Sequence, residues 1–212
     1  MTSDRARTER LQRIHGVKDY AELRSEYDNW ASEYDADLEA LGFRSPRAAA
    51  ELLDKYVPDK GVQVLDAGAG TGMVGVELAR RGFTRITALD MSTGMLETAK
   101  EKGVYEDFVI GELGKDLPLE TDAFAGTTCV GVFTYAHALP DSLDELIRVT
   151  KPGGAVVFSI RTDYYTEAGF DVKQAALEAD GKWRLFERSD PFRPMPNGEP
   201  DVWHEMWAYE VS

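Results

Sequence analysis

The chain has almost no cysteine. Cys129 is the one thiol in 212 residues, so no intrachain disulfide can form, and a reducing compartment is expected. It sits in an apolar run, where a free thiol behaves as a small buried hydrophobe. Histidine is scarce too, at three residues. No Cys/His cluster has zinc spacing and no carboxylate triad suggests a magnesium site, so no metal is expected. Positive charge is in deficit: 24 Lys and Arg stand against 38 Asp and Glu, for a net charge of −14. Such a surface repels phosphate backbones, which argues against a nucleic-acid partner. Long apolar runs are missing. The longest uncharged stretch, residues 123–139, contains two Gly and three Thr and falls short of the ~20 apolar residues of a membrane helix. The opening MTSDRARTERLQRIHG carries Asp4 and Glu9 and no apolar core, unlike a secretory signal. A cytoplasmic protein that avoids membranes is expected.

What is present suits one globular domain, with 43% hydrophobic and 29% charged residues. Residues 1–16 read as a frayed basic lead-in. Asp19 and Glu22 have capping-box spacing, and Tyr27, Trp30, Tyr34, Leu38 and Leu41 then recur at helical spacing, with Gly42 as a stop. Ser45-Pro46 reads as an N-cap followed by proline at the first helical position.

Beyond Pro58 the period changes. Strands are expected at 62–65, 84–89, 105–110, 126–133 and 155–160, with helices at 72–81, 92–102 and 142–149. Ser142 and Glu145 again have capping-box spacing, and Lys151-Pro-Gly-Gly154 reads as a turn. A helix near 167–179 precedes strands at 182–187 and 202–211, which flank a proline-rich loop. Alternating strands and helices predict a Rossmann-like, doubly wound α/β fold. The expected sheet is mostly parallel and seven-stranded, with a C-terminal antiparallel hairpin and helices on both faces.

The first strand ends in Val64-Leu-Asp-Ala-Gly-Ala-Gly-Thr-Gly-Met-Val-Gly75. Gly70, Gly72 and Gly75 fit the dinucleotide pattern G-x-G-x-x-G, but Gly70 comes five residues after Leu65, late for that register. Counting from Gly68 places Met73 where the third glycine belongs. Asp66 adds a second objection, because a carboxylate at the strand end opposes a pyrophosphate and favours a cation. S-adenosylmethionine, with its ammonium and sulfonium, meets that requirement. Asp90 ends the second strand, placed to accept bonds from ribose hydroxyls.

The blocks VLDAGAGTG (64–72), ITALDMSTGML (86–96), LPLETDAFAGTTCVGVFTYAH (117–137) and LIRVTKPGGAVVFSIR (146–161) resemble the class I S-adenosylmethionine-dependent methyltransferases. With YDNWASEYDADLEALGFRSP (27–46), the chain looks most like the Williams–Beuren-region methyltransferase-like proteins. The resemblance implies that Gly68, Ala69 and Gly70 pass under the methionine part of the cofactor, with Asp66 near its amine. It implies Asp90 at the ribose, and Met91, Met95, Glu112, Leu113 and Val130 around the adenine and the floor. Tyr27, Trp30 and Tyr34 would fold over the cofactor from the N-terminal helix. The whole chain, 1–212, would be one methyltransferase domain with 1–45 as a helical lid.

Methyl transfer from a sulfonium needs alignment more than acid–base help, so few catalytic residues are required. His137 is the candidate base, should the acceptor lose a proton. Arg161 and Tyr164, after the fifth strand, are candidate acceptor-binding residues, with Arg161 suited to an acidic group. A small-molecule acceptor is expected, and the protein would act as a monomer or homodimer. Two other readings stay open: a non-catalytic S-adenosylmethionine-binding regulator, and a nicotinamide oxidoreductase. The second lacks the Tyr-x-x-x-Lys pair of short-chain dehydrogenases.

Overall fold

The computed structural model describes residues 4–17, 19–135 and 138–212. Its elements run α1 (Asp4–His15), α2 (Tyr20–Leu41), α3 (Ser45–Tyr56), β1 (Gln63–Ala67), α4 (Met73–Arg80), β2 (Arg85–Asp90), α5 (Thr93–Glu101), β3 (Asp107–Ile110) and β4 (Phe124–Phe133). They continue through α6 (Ser142–Val149), β5 (Thr150–Arg161), α7 (Thr162–Tyr165), α8 (Phe170–Ala179), β6 (Trp183–Arg188) and β7 (His204–Val211).

The seven strands form one sheet in the order β3-β2-β1-β4-β5-β7-β6. The pairs among β1 to β5 are parallel. β7 runs antiparallel to both β5 and β6, so the last strand is inserted between them. Helices cover both faces: Leu53 of α3 and Leu78 of α4 pack with Val64 and Val157 on one side. Leu146 of α6 and Phe170 of α8 pack with Phe158 and Trp183 on the other. β1 and β2 are buried along nearly their whole length, as a doubly covered parallel sheet requires. The strand order reverses between β1 and β4, which opens a crevice at their carboxyl ends.

Four local expectations are corrected. Residues 4–15, expected to fray, form α1, whose Leu11 and Ile14 are buried. Arg7 and Arg10 hold it down through ion pairs at 2.9 and 3.0 Å to Asp37, itself 3% exposed on α2. Ser45 and Ser142 do not cap. Arg44 and Asp141 occupy those positions without a side-chain capping bond, and both serine hydroxyls are buried inside the first turn. Glu145 instead accepts from Leu117 N at 2.7 Å and pairs with Arg148. Finally, the Lys151–Gly154 turn is absorbed into β5, where the register slips between Phe124↔Thr150 and Gly126↔Ala155. The other caps hold: Asp19 accepts from Glu22 N at 2.9 Å, and Ser92 Oγ from Met95 N at 3.0 Å.

Candidate functional site

The crevice lies where β1, β2 and β4 end, under α2. After Ala67 the chain turns through the glycine loop. Gly70 has φ 53°, and a Cβ there would meet nothing within 4 Å, so its backbone faces open space. The Asp90 carboxylate braces the loop: Oδ2 accepts from Gly70 N at 2.8 Å, while Oδ1 accepts from Ser92 N at 2.9 Å. Burial raises the Asp90 pKa, and these backbone bonds oppose the rise. Each oxygen keeps a further lone pair for a ligand hydroxyl.

The resulting cleft holds about 660 Å³ of empty space, its open mouth included. It brings together Tyr27, Tyr34, Gly68, Gly70, Asp90, Met91, Met95, Glu112, Leu113 and Val130 from the expected set. Tyr20, Leu23, Leu89, Gly111, Gly131, Val132 and Ala138 complete the lining. Asp90 and Glu112 are the charged residues in that lining, and no described Lys or Arg shares it. Glu112 is paired with Lys115 at 2.8 Å, whereas Asp90 has no salt-bridge partner among the described residues; a carboxylate there suits a cationic ligand and opposes a pyrophosphate. Met91, Met95 and Leu113 supply an apolar slot for a flat ring.

Three expected residues face elsewhere. Asp66 is fully buried beneath the loop, where Tyr105 Oη donates to it at 2.7 Å and Thr128 Oγ1 at 3.1 Å. Burial lifts its carboxyl to about 6. Ala69 packs against Ala88 and Leu96 between sheet and helix. Trp30 turns toward α1, its indole N–H donating to Asp37 at 2.9 Å. Helical spacing groups Trp30 with Tyr27 and Tyr34, but the buried Asp37 draws its polar edge away.

Gly75 has a role that its place in a glycine pattern conceals. A Cβ there would lie 2.2 Å from the Tyr105 ring. Its N–H donates to Tyr105 Oη at 3.2 Å. The glycine makes room for a tyrosine under the loop, and the dinucleotide-like spacing is a by-product of that packing.

α2 is fastened over the cleft at two points. Asp28 Oδ1 accepts from Ser92 Oγ and from Gly94 N, at 2.5 and 2.9 Å. Asp35 accepts from Thr71 Oγ1 and pairs with Lys102. Neither these aspartates nor Tyr105 stand out in the sequence, since each earns its place through a partner at least 30 positions away.

The acceptor candidates separate. Arg161 binds Asp163 through two nitrogens, at 2.7 and 2.9 Å, and lies over the Tyr135 ring at 5.1 Å. It borders a second cavity, which shares no lining residue with the cleft. Tyr164 is buried against Tyr135 and Phe170 and borders neither space. His137 lies outside the described residues.

Comparison with known proteins matches a methyltransferase domain family over residues 65–158. Human methyltransferase-like protein 27 is 35% identical over 181 residues, covering 82% of this chain and 73% of that protein. The demethylmenaquinone methyltransferase of Corynebacterium glutamicum is 34% identical over 138 residues, 65% of this chain and 58% of that enzyme. The chain thus spans less than two thirds of the second relative. A crystal structure of an S-adenosylmethionine-dependent methyltransferase from Mesorhizobium loti superposes with a TM-score of 0.58 at 17% identity. The match covers 78% of this chain and 96% of that one, and at such identity the likeness is one of fold. No helix among the described residues is long and apolar enough to cross a membrane.

Proposed function

Because the chain belongs to the S-adenosylmethionine-dependent methyltransferases, we propose that it transfers the cofactor's methyl group to a small-molecule acceptor by in-line displacement. The acidic, base-free lining of the cleft carries this reading. When bound, the cofactor supplies a methyl group on a sulfonium, whose sulfur is a good leaving group. The protein's part is to hold, orient and keep water out.

The residues present fit that group. Asp90 holds the ribose hydroxyls with the lone pairs left over from Gly70 and Ser92. Gly68 and Gly70 let backbone pass close under the methionine chain. Met91, Met95, Glu112, Leu113 and Val130 enclose the adenine. Tyr27 and Tyr34 close over the top, and burial keeps both hydroxyls protonated as donors for a carboxylate. Asp66 acts through the loop above it without touching ligand. His137 takes the proton where the acceptor has one to lose. Residues 1–45 serve as the lid.

Calorimetric titration with S-adenosylmethionine, S-adenosylhomocysteine and NADH tests the reading. The two sulfur compounds should bind saturably and NADH should not. NADH binding without S-adenosylmethionine binding would overturn it. Turnover is then read as the gain of one methyl mass on an acceptor; a broad metabolite screen without such a gain would favour a regulator.

A further inference from the structure

The cofactor cleft is not lined evenly. Its two carboxylates, Asp90 and Glu112, stand at the ends of β2 and β3. In the sheet order β3-β2-β1-β4, the glycine loop after β1 comes next and β4 lies beyond it. On that far side the described lining is Val130, Gly131, Val132 and Ala138, without a charged side chain. Val132 marks where this wall meets the loop: a Cβ on Gly68 would lie 2.4 Å from Val132 Cγ2. The strand reaches that point through an irregularity. Its register with β5 slips between Cys129 and Phe133, and Gly131 inside the slip has φ 73°. With Gly68 passing under the methionine chain, as proposed above, an apolar side chain borders the reacting end of the cofactor.

The apolar wall continues outward. Leu139 follows Ala138 and is 58% exposed. Val172, near the start of α8, is 70% exposed. Lys173 beside it pairs with Asp141 and Asp144, which ties this end of α8 to the turn that carries Leu139. Tyr20, the first residue of α2, lines the cleft and is also exposed. Three of the six exposed large hydrophobics among the described residues thus belong to the edge of the cleft or to the elements next to it. Single exposed apolar residues are ordinary, but a gathering of them beside a cleft marks a place where apolar surface docks. Arg161 and Tyr164, the acceptor candidates read from the sequence, do not line the cleft. A charged acceptor would lose water along the β4 wall and meet no opposite charge there. A cationic one would also face the sulfonium.

Resting on the methyltransferase reading above, we propose that the acceptor is an uncharged molecule with an apolar body and one polar reacting atom, laid along Val132, Ala138 and Leu139. A lone pair on the reacting atom forms the bond to the methyl carbon. The carbon–sulfur bond breaks as it forms, and its electron pair stays on sulfur. Where the reacting atom carries a proton, it leaves through His137, as above, to solvent. Val132 and Ala138 select the acceptor by shape and polarity, and Leu139 extends the contact beyond the cleft.

A series of 4-alkylphenols, from ethyl to butyl, tests this beside tyramine and 4-hydroxyphenylacetate, which carry one charge on a similar frame. Binding is measured by ligand-observed NMR on the full chain saturated with S-adenosylhomocysteine. Affinity should rise about fourfold with each methylene. Both charged probes should bind about tenfold more weakly than 4-butylphenol, or worse. Val132→Thr keeps the shape of the wall and adds a hydroxyl, and should weaken 4-butylphenol about tenfold. Leu139→Asp, on the exposed rim, should weaken it about fourfold. Calorimetry with S-adenosylhomocysteine shows that each variant is folded. A charged probe binding best, affinity independent of chain length, or 4-butylphenol binding indifferent to both substitutions would each overturn the proposal. So would 4-butylphenol that displaces S-adenosylhomocysteine, because it would then occupy the cofactor's own place. Self-association lost in Leu139→Asp, with alkylphenol binding unaltered, would give the rim to a second copy of the chain and overturn it too. Failure of S-adenosylhomocysteine to bind the unaltered chain is a different result, and would strike the methyltransferase reading itself.

Discussion

Tyr105 donates its hydroxyl hydrogen to the Asp66 carboxylate at 2.7 Å, directly beneath the glycine loop. Tyr105 Oη in turn accepts from Gly75 N, so strand end, loop and α4 meet at one phenol. These bonds favour the ionised carboxylate, but burial outweighs them and lifts Asp66 to about 6.

The consequence is a pH-dependent stability with a definite sign. Asp66 titrates near 4 when unfolded and near 6 when folded, so between those values the folded chain holds the extra proton. Stability therefore falls as pH rises through this window and levels off above it. The loss is about 3 kcal/mol at most, at about 1.4 kcal/mol per unit. Asp66→Asn keeps an acceptor for Tyr105 and has no charge to bury. Urea unfolding should show the Asn variant gaining on the unaltered chain between about pH 4 and pH 7. A gap that stays constant across that range would mean that Asp66 does not titrate there.

Gly75→Ala should destabilise by about 1–3 kcal/mol, as overpacking does. The Cβ has nowhere to go, 2.2 Å from the Tyr105 ring. In a Tyr105→Ala background the same change should be close to neutral, a coupling that a double-mutant cycle reads directly. Equal costs in both backgrounds would return Gly75 to the role of a loop glycine.

Much of this architecture was legible because it is local. Val64-Leu65, Ile86–Leu89 and the capping Ser92 declare strand, strand and helix start through periodicity and chemistry over a few residues. The strand-end position of Asp90 marked it as a candidate for the same reason, and it lines the cleft. Asp66 shows the limit: its place at a strand end was readable, but not that Tyr105 and Thr128 would take up its carboxylate. The fold of α1 was hidden because Asp37, 27 and 30 positions on, neutralises Arg10 and Arg7. Ser45 and Ser142 satisfied a capping rule that the preceding backbone overrode.

Asp90 should be tested with asparagine as well as alanine. Alanine leaves Gly70 N and Ser92 N without their acceptor, so it should cost about 1–3 kcal/mol of stability besides any loss of binding. Asparagine keeps one acceptor oxygen and removes the charge. Asp90→Asn should melt within a few degrees of the unaltered chain, yet bind S-adenosylmethionine at least tenfold more weakly. Near-normal affinity in calorimetry would remove Asp90 from the cofactor site.

The two fastenings of α2 bear on how a ligand enters. Asp28 and Asp35 lie about two helical turns apart and so face the same way. One reaches Ser92 and Gly94, the other Thr71 and Lys102. With both engaged, Tyr27 and Tyr34 line the cleft from α2; on the lid reading proposed above, entry requires α2 to lift. Replacing both aspartates by alanine should raise the opening rate while leaving the sheet intact. Hydrogen exchange should then be faster in residues 20–41 of the ligand-free double variant, with β1, β4 and β5 unchanged. S-adenosylhomocysteine should slow exchange in α2 of both proteins and leave the double variant more readily, because release also requires opening. Uniformly faster exchange across the sheet would make the aspartates general supports of the fold. Unchanged exchange in α2 would mean that its buried Leu23, Leu38 and Leu41, and not the carboxylates, hold the lid down.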